Sequence, residues 1–169
     1  MRKMLDRLYD GCGMLAAACM IALLVMVLLG IVDRYISVPI KGTDAYAGYF
    51  MAGAGFLALA HTFRRGEHIR VTLILQKLSA GKRRGFEIWS LFAGTVLCAL
   101  FAFFSTRFMW QSRELKDIST SMDAMPLWIP QIVMAVGTTV LFVALLDQLV
   151  VALRGGEASL ESGDSLHNE

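Results

Sequence analysis

Polar residues interrupt the chain at intervals that leave four long apolar stretches. Gly11 to Val32 runs 22 residues without a charge. As a helix it reaches about 33 Å, enough to cross a hydrocarbon core of about 30 Å. Asp33-Arg34-Tyr35 closes it, with an acidic–basic pair and an aromatic suited to the headgroup level. The pattern predicts further spans over about 45–63, 85–106 and 126–146. A cleaved signal peptide is a poorer reading of the first stretch, whose apolar run is too long and has no small-x-small site after it. The fold class expected is therefore an all-α integral membrane protein with four transmembrane helices.

Shorter amphipathic runs flank these spans. Met1, Met4, Leu5 and Leu8 share a stripe, which predicts either an interfacial helix over 1–10 or an extension of the first span. Val71, Ile74, Leu75 and Leu78 fall at helical spacing in a run too short to cross a bilayer, which predicts a second interfacial helix. Arg107 to Asp117 mixes aromatic and charged residues, as a third span protruding from the membrane would. Thr43-Asp44 offers an N-cap and a negative charge to the second span. Pro126-Leu-Trp128-Ile-Pro130 opens the fourth, with prolines tolerated in a first turn and Trp128 at the interface. Residues 154–169 are polar and expected to form a disordered tail, leaving 11–153 as the membrane domain.

The second span carries small residues at helical spacing: Gly48 and Ala52, then Ala54 and Ala58, with Gly53 between. Such pairs let helix backbones approach where hydrophobicity cannot drive association. These five are candidate residues for helix packing or a subunit interface.

Composition agrees: 56% hydrophobic, 18% charged and a mean hydropathy of +0.58 across 169 residues. A net charge of +2 gives no reason to expect nucleic acid, and the basic residues beside apolar blocks suit membrane phospholipid instead. Eleven Lys and Arg fall in the N-terminus, the 64–84 corner and the C-terminus, against five in the other two loops. That asymmetry predicts both termini and the corner in the cytoplasm. Cys12, Cys19 and Cys98 form no CxxC pair and read as small packing residues.

Candidate chemistry concentrates in the corner, where Arg64, Arg65, Glu67, His68 and Arg70 follow the second span. The arginines fix this segment at a membrane face, since a centred Arg costs about 2.5–3.5 kcal/mol on insertion scales. His61 lies near the same end of the second span, and Glu87 stands beside Lys82, Arg83 and Arg84, where local pairing is its expected role. The four predicted span centres hold no charge, and neither a metalloprotease motif nor a phosphate loop occurs. Catalytic, substrate-binding, metal and cofactor sites are not expected in this chain.

Taken together, Arg34-Tyr35, Asp44, the Arg64-Arg65-Gly66-Glu67-His68-Ile69-Arg70-Val71 corner and the Pro126-Leu-Trp128-Ile-Pro130 opening resemble a known pattern. It is that of the small membrane subunit of tripartite ATP-independent periplasmic (TRAP) transporters, over about residues 10–153. The chain departs from it at Ala45, where a second acidic residue is common, and at Thr72, where an acidic residue often stands. The resemblance implies a bacterial inner-membrane protein that braces a large permease subunit. That subunit would take up an organic acid with sodium, delivered by a periplasmic solute-binding protein. A membrane anchor of a redox enzyme and a small self-assembling exporter stay open as alternatives. The topology is directly testable: Lys82→Cys and Ser119→Cys are expected to label from opposite faces of intact cells, with Ser119→Cys reached from outside. Labelling of both from one side would remove the four-span arrangement.

Overall fold

The structure is a computed structural model and describes residues 2–36, 42–64, 80–121 and 123–154. They form four helices: α1 (Arg2–Ile36), α2 (Thr43–Arg64), α3 (Ala80–Glu114) and α4 (Trp128–Leu153). Among the described residues there is no strand, only an isolated bridge between Ile118 and Pro126. The corner from Arg65 to Ser79, with Arg65, Glu67, His68, Arg70 and the Val71–Leu78 run, lies outside the described residues, as does the tail 155–169.

The helices are longer than the apolar stretches that seeded them. α1 is continuous from Arg2, so residues 2–10 extend the first helix, the second of the two readings of that segment. At 35 residues, α1 and α3 each reach about 52 Å and must project beyond a hydrocarbon core of about 30 Å. α4 continues seven residues past the expected Leu146, because Leu149 and Ala152 still pack against Leu91 and Ile88 of α3. α1, α3 and α4 are long and apolar enough to cross a membrane. α2 has the length, at 22 residues, but is not among them.

Packing runs in the order α1, α2, α4, α3, each helix touching the next. Contacts between α1 and α2 descend in register: Gly13 meets His61, Cys19 meets Gly53, and Gly30 meets Thr43. Contacts between α2 and α4 ascend together, Gly53 with Val133 and Phe56 with Gly137, so these two central helices are parallel. α3 runs against α4, with Gly94 near Leu145 and the Cys98 Sγ donating to the Thr138 carbonyl at 3.6 Å. The bundle is therefore up-down-up-down, and it places the start of α1, the end of α2, the start of α3 and the end of α4 at one end. The α1–α2 and α3–α4 loops share the other.

Its interior is built from small side chains. Cys12, Ala16, Ala54, Ala60, Cys98, Ala102, Ala135, Ala144 and Ala152 are all buried, with Leu57, Leu91 and Val140 among them. All three cysteines are free, and two are buried in this packing. Large apolar side chains instead face outward, among them Met14, Ile21 and Leu24 on α1 and Trp89, Leu97 and Phe103 on α3. A surface of that extent is foreign to a monomer in water and ordinary where lipid is the solvent. Buried hydroxyls turn back on their own helices, as Thr95 does to the Leu91 carbonyl at 2.7 Å and Thr138 to that of Met134 at 2.9 Å. They need no partner across the bundle.

The tightest approach is at Gly137, where an added Cβ would stand 2.6 Å from the Phe56 carbonyl oxygen of α2. Neither group is the free end of a flexible side chain, so a substitution must move a helix. Gly137→Ala is expected to destabilise the bundle by about 1–3 kcal/mol, read as a lowered thermal midpoint in detergent. Gly55→Ala, which meets nothing within 4 Å, should leave the midpoint in place.

Candidate helix-packing site and membrane-interface residues

The five small residues singled out on α2 divide between two faces. Gly53 and Ala54 are buried inside the bundle, and Ala58 packs against the core of Tyr9, Cys12, Leu57 and Val140. Gly53 sits at the junction of three helices, since an added Cβ would lie 3.2 Å from the Cys19 Sγ and 3.5 Å from Val133. Gly48 and Ala52 point the other way, on an exposed stripe with Met51 and Gly55. One face of α2 thus builds this chain's own fold, and the other is open.

Gly137 on α4 was not marked by any spacing rule, because no small residue stands four positions from it. Its role is visible only once α2 is laid against α4. Phe56, whose backbone it meets, also sends its ring to Phe101 of α3, with centroids 6.1 Å apart. One α2 residue therefore touches both later helices.

The end bearing the two loops is tied by polar and aromatic contacts. Gly42 precedes α2 with φ of 88°, a conformation only glycine takes without strain, and its Cα faces the Asp123 side chain. Asp123 belongs to the α3–α4 loop and accepts a hydrogen bond from the Tyr49 hydroxyl of α2 at 3.1 Å. That loop closes on itself through Ser119 N–H to the Met125 carbonyl at 2.8 Å and Leu127 N–H to that of Asp117 at 3.0 Å. Thr43 is the first helical residue of α2, buried against Gly30, while Asp44 is exposed in the first turn, near the positive end of the helix dipole. Pro130 occupies the first turn of α4, where its missing N–H costs no helix bond.

Trp128 belongs to a cation–aromatic cluster at this end. The Arg113 guanidinium lies 5.7 Å from its ring centre and 6.0 Å from that of Trp110. The Trp110 indole N–H donates to Glu114 at 2.7 Å. Arg34 is exposed at the last turn of α1.

At the opposite end, Asp10 of α1 lies 3.7 Å from the His61 Nδ1 of α2, and the His61 ring packs on Gly13. Arg64 ends α2, with its side chain outside the described residues, and the same holds for Glu87 within α3. The geometry around Arg65, Glu67, His68 and Arg70 is likewise not described. Among the described residues, no three His, Cys, Asp or Glu gather as a metal site would require.

A helical membrane bundle that packs through glycine, alanine and cysteine belongs to the multi-pass membrane proteins. Residues 23–155 match the family of tripartite ATP-independent periplasmic transporters, DctQ component. The chain belongs to that family, and is thus a small membrane component of a TRAP transporter rather than a member of an enzyme family. No curated protein matches it.

The two faces of α2 separate in a substitution pair. Gly53→Leu is expected to drive a side chain into Cys19 and lower the yield of folded chain, seen by size-exclusion chromatography. Gly48→Leu should leave the isolated chain folded, and equal damage from both would contradict an open Gly48 face.

Proposed function

We propose that this chain is the bracing subunit of a sodium-coupled TRAP transporter for an organic acid carboxylate. It crosses the bacterial inner membrane four times, with α2 as the second span and both termini in the cytoplasm. A large permease subunit carries the substrate and sodium sites, and a periplasmic solute-binding protein delivers the solute. The observation that carries this reading is the family match across 23–155. The up-down-up-down packing supports the topology, because it gathers the N-terminus, the end of α2, the start of α3 and the end of α4 at one end. Eleven of the sixteen Lys and Arg belong to the segments at that end.

In this reading residues 11–153 are the membrane domain, 2–10 continue α1 past the hydrocarbon at the cytoplasmic face, and 154–169 lie on the cytoplasmic side. The corner residues Arg64, Arg65, Glu67, His68 and Arg70 hold the turn at the cytoplasmic headgroups, where phospholipid phosphate meets the arginines. The open α2 face, with Gly48 and Ala52, receives a helix of the large subunit. Polar pairs between helices in lipid contribute about 0.6 kcal/mol each, so a lasting complex needs several helices to engage together.

The test is solute uptake into vesicles holding purified components. Uptake is expected to require this chain, the large permease, the binding protein and a sodium gradient. Full uptake by the large permease without this chain would remove the bracing role, and uptake by this chain alone would replace it with a transport role.

A further inference from the structure

We propose that the open groove between α3 and α4 seats one acyl chain of a phospholipid whose phosphate is held by Arg107, with a preference for an anionic headgroup. The inference needs only that α3 crosses the membrane, and it stands apart from the bracing role.

The groove has a volume of about 380 Å³, within the range of small-ligand sites. Its floor is Phe101, Phe104 and Phe108 of α3, at helical spacing, with Met134 of α4 opposite. Arg107 and Gln111, one turn apart, supply its polar flank. Ser105 also lines it, but its hydroxyl already donates to the Phe101 carbonyl at 2.7 Å. The site thus has an apolar floor and one cationic margin, the distribution of a phospholipid turned inside out.

Depth agrees with that occupant. From Phe101 to Arg107 a helix rises about 9 Å, so the groove starts within the outer part of the hydrocarbon and ends where the third span gives way to charged residues. Trp110 and Trp128 mark the headgroup level at this end. Arg107 stands one turn inward of Trp110, from which a long side chain reaches the phosphate by snorkelling.

The charges around the groove leave Arg107 for an anion. Neighbouring Arg113 faces the Trp110 and Trp128 rings, and Glu114 accepts the Trp110 N–H. Among the described residues no carboxylate lines the groove, and Arg107 is exposed. A helix of a protein partner could fill the apolar floor, but it would need a carboxylate at one fixed depth. A phospholipid brings its phosphate to that depth by construction.

Native mass spectrometry of the full chain, alone and with its large permease, reads the proposal. Phosphatidylglycerol and phosphatidylcholine of identical acyl chains are the probes. The wild type is expected to prefer phosphatidylglycerol. Arg107→Ala should weaken that lipid about fivefold, as loss of one basic residue near a membrane surface does, with phosphatidylcholine little changed. Arg107→Lys should keep the preference, and Phe104→Ala should weaken both lipids. Equal binding of the two lipids by the wild type, or undiminished phosphatidylglycerol binding by Arg107→Ala, overturns the proposal. So does efficient crosslinking of Phe104→Cys to the large permease in native membranes, which would make the groove a protein interface.

Discussion

Phe56 presents its carbonyl to Gly137 at a distance that leaves no room for a side chain, and the central pair of helices is set by that contact. In lipid the helices gain nothing by hiding apolar area from one another, because the tails around them are equally apolar. What remains is close packing and hydrogen bonding, and close packing requires backbones to meet. α2 and α4 meet at Gly137, and α1 meets α2 through Gly13, Cys19 and Gly30. The same Phe56 carries the contact onward, its ring tilted against Phe101 of α3. Small residues inside and large ones outside are thus two sides of one constraint.

The four helices were legible because the cost of charge in hydrocarbon imposes long uncharged runs, and three of them are long and apolar enough to cross a membrane. Helix ends were less legible. The bilayer limits where charges sit but does not end a helix, so α1 begins at Arg2 and α3 runs to Glu114. α4 passes Asp147 and Gln148 to Leu153, because apolar residues resume on the face that meets Leu91. A charge read as the end of an apolar stretch does not end the helix's hydrogen bonding.

The packing residues were legible in part, for a similar reason. Spacing identifies a small-residue face but not its partner, and α2 has two such faces. Gly53 and Ala54 turned out to lie inside, and Gly48 and Ala52 outside. Gly137 stood alone in an apolar run, with no periodicity to single it out. Tyr49 and Asp123 are 74 residues apart in sequence, and their hydrogen bond follows from the loop fold alone. Trp128 was expected at the interface for its chemistry, and the partner that sits over it, Arg113, comes from the far side of a loop.

The bundle's two ends are held by different physics. At the loop end, Gly42, Tyr49 and Asp123 join the two connections, and Arg113 lies between rings contributed by α3 and α4. A cation–aromatic contact of this kind contributes about 0.5–1 kcal/mol where exposed, so the Arg113–Trp128 contact from α3 to α4, with the Tyr49–Asp123 hydrogen bond, resists splaying of the helices. At the end with the termini, the core of Tyr9, Ala60 and Phe63 joins α1 to α2, and Leu149 and Ala152 join α4 to α3. The Asp10–His61 pair at 3.7 Å adds little there, since Asp10 is largely exposed to solvent. Apolar packing therefore dominates one end and polar and aromatic ties the other, and the chain between is held by backbone contact. Resistance to splaying is thus supplied at both ends by different contacts, and among the described residues no charged group stands at the bundle's centre.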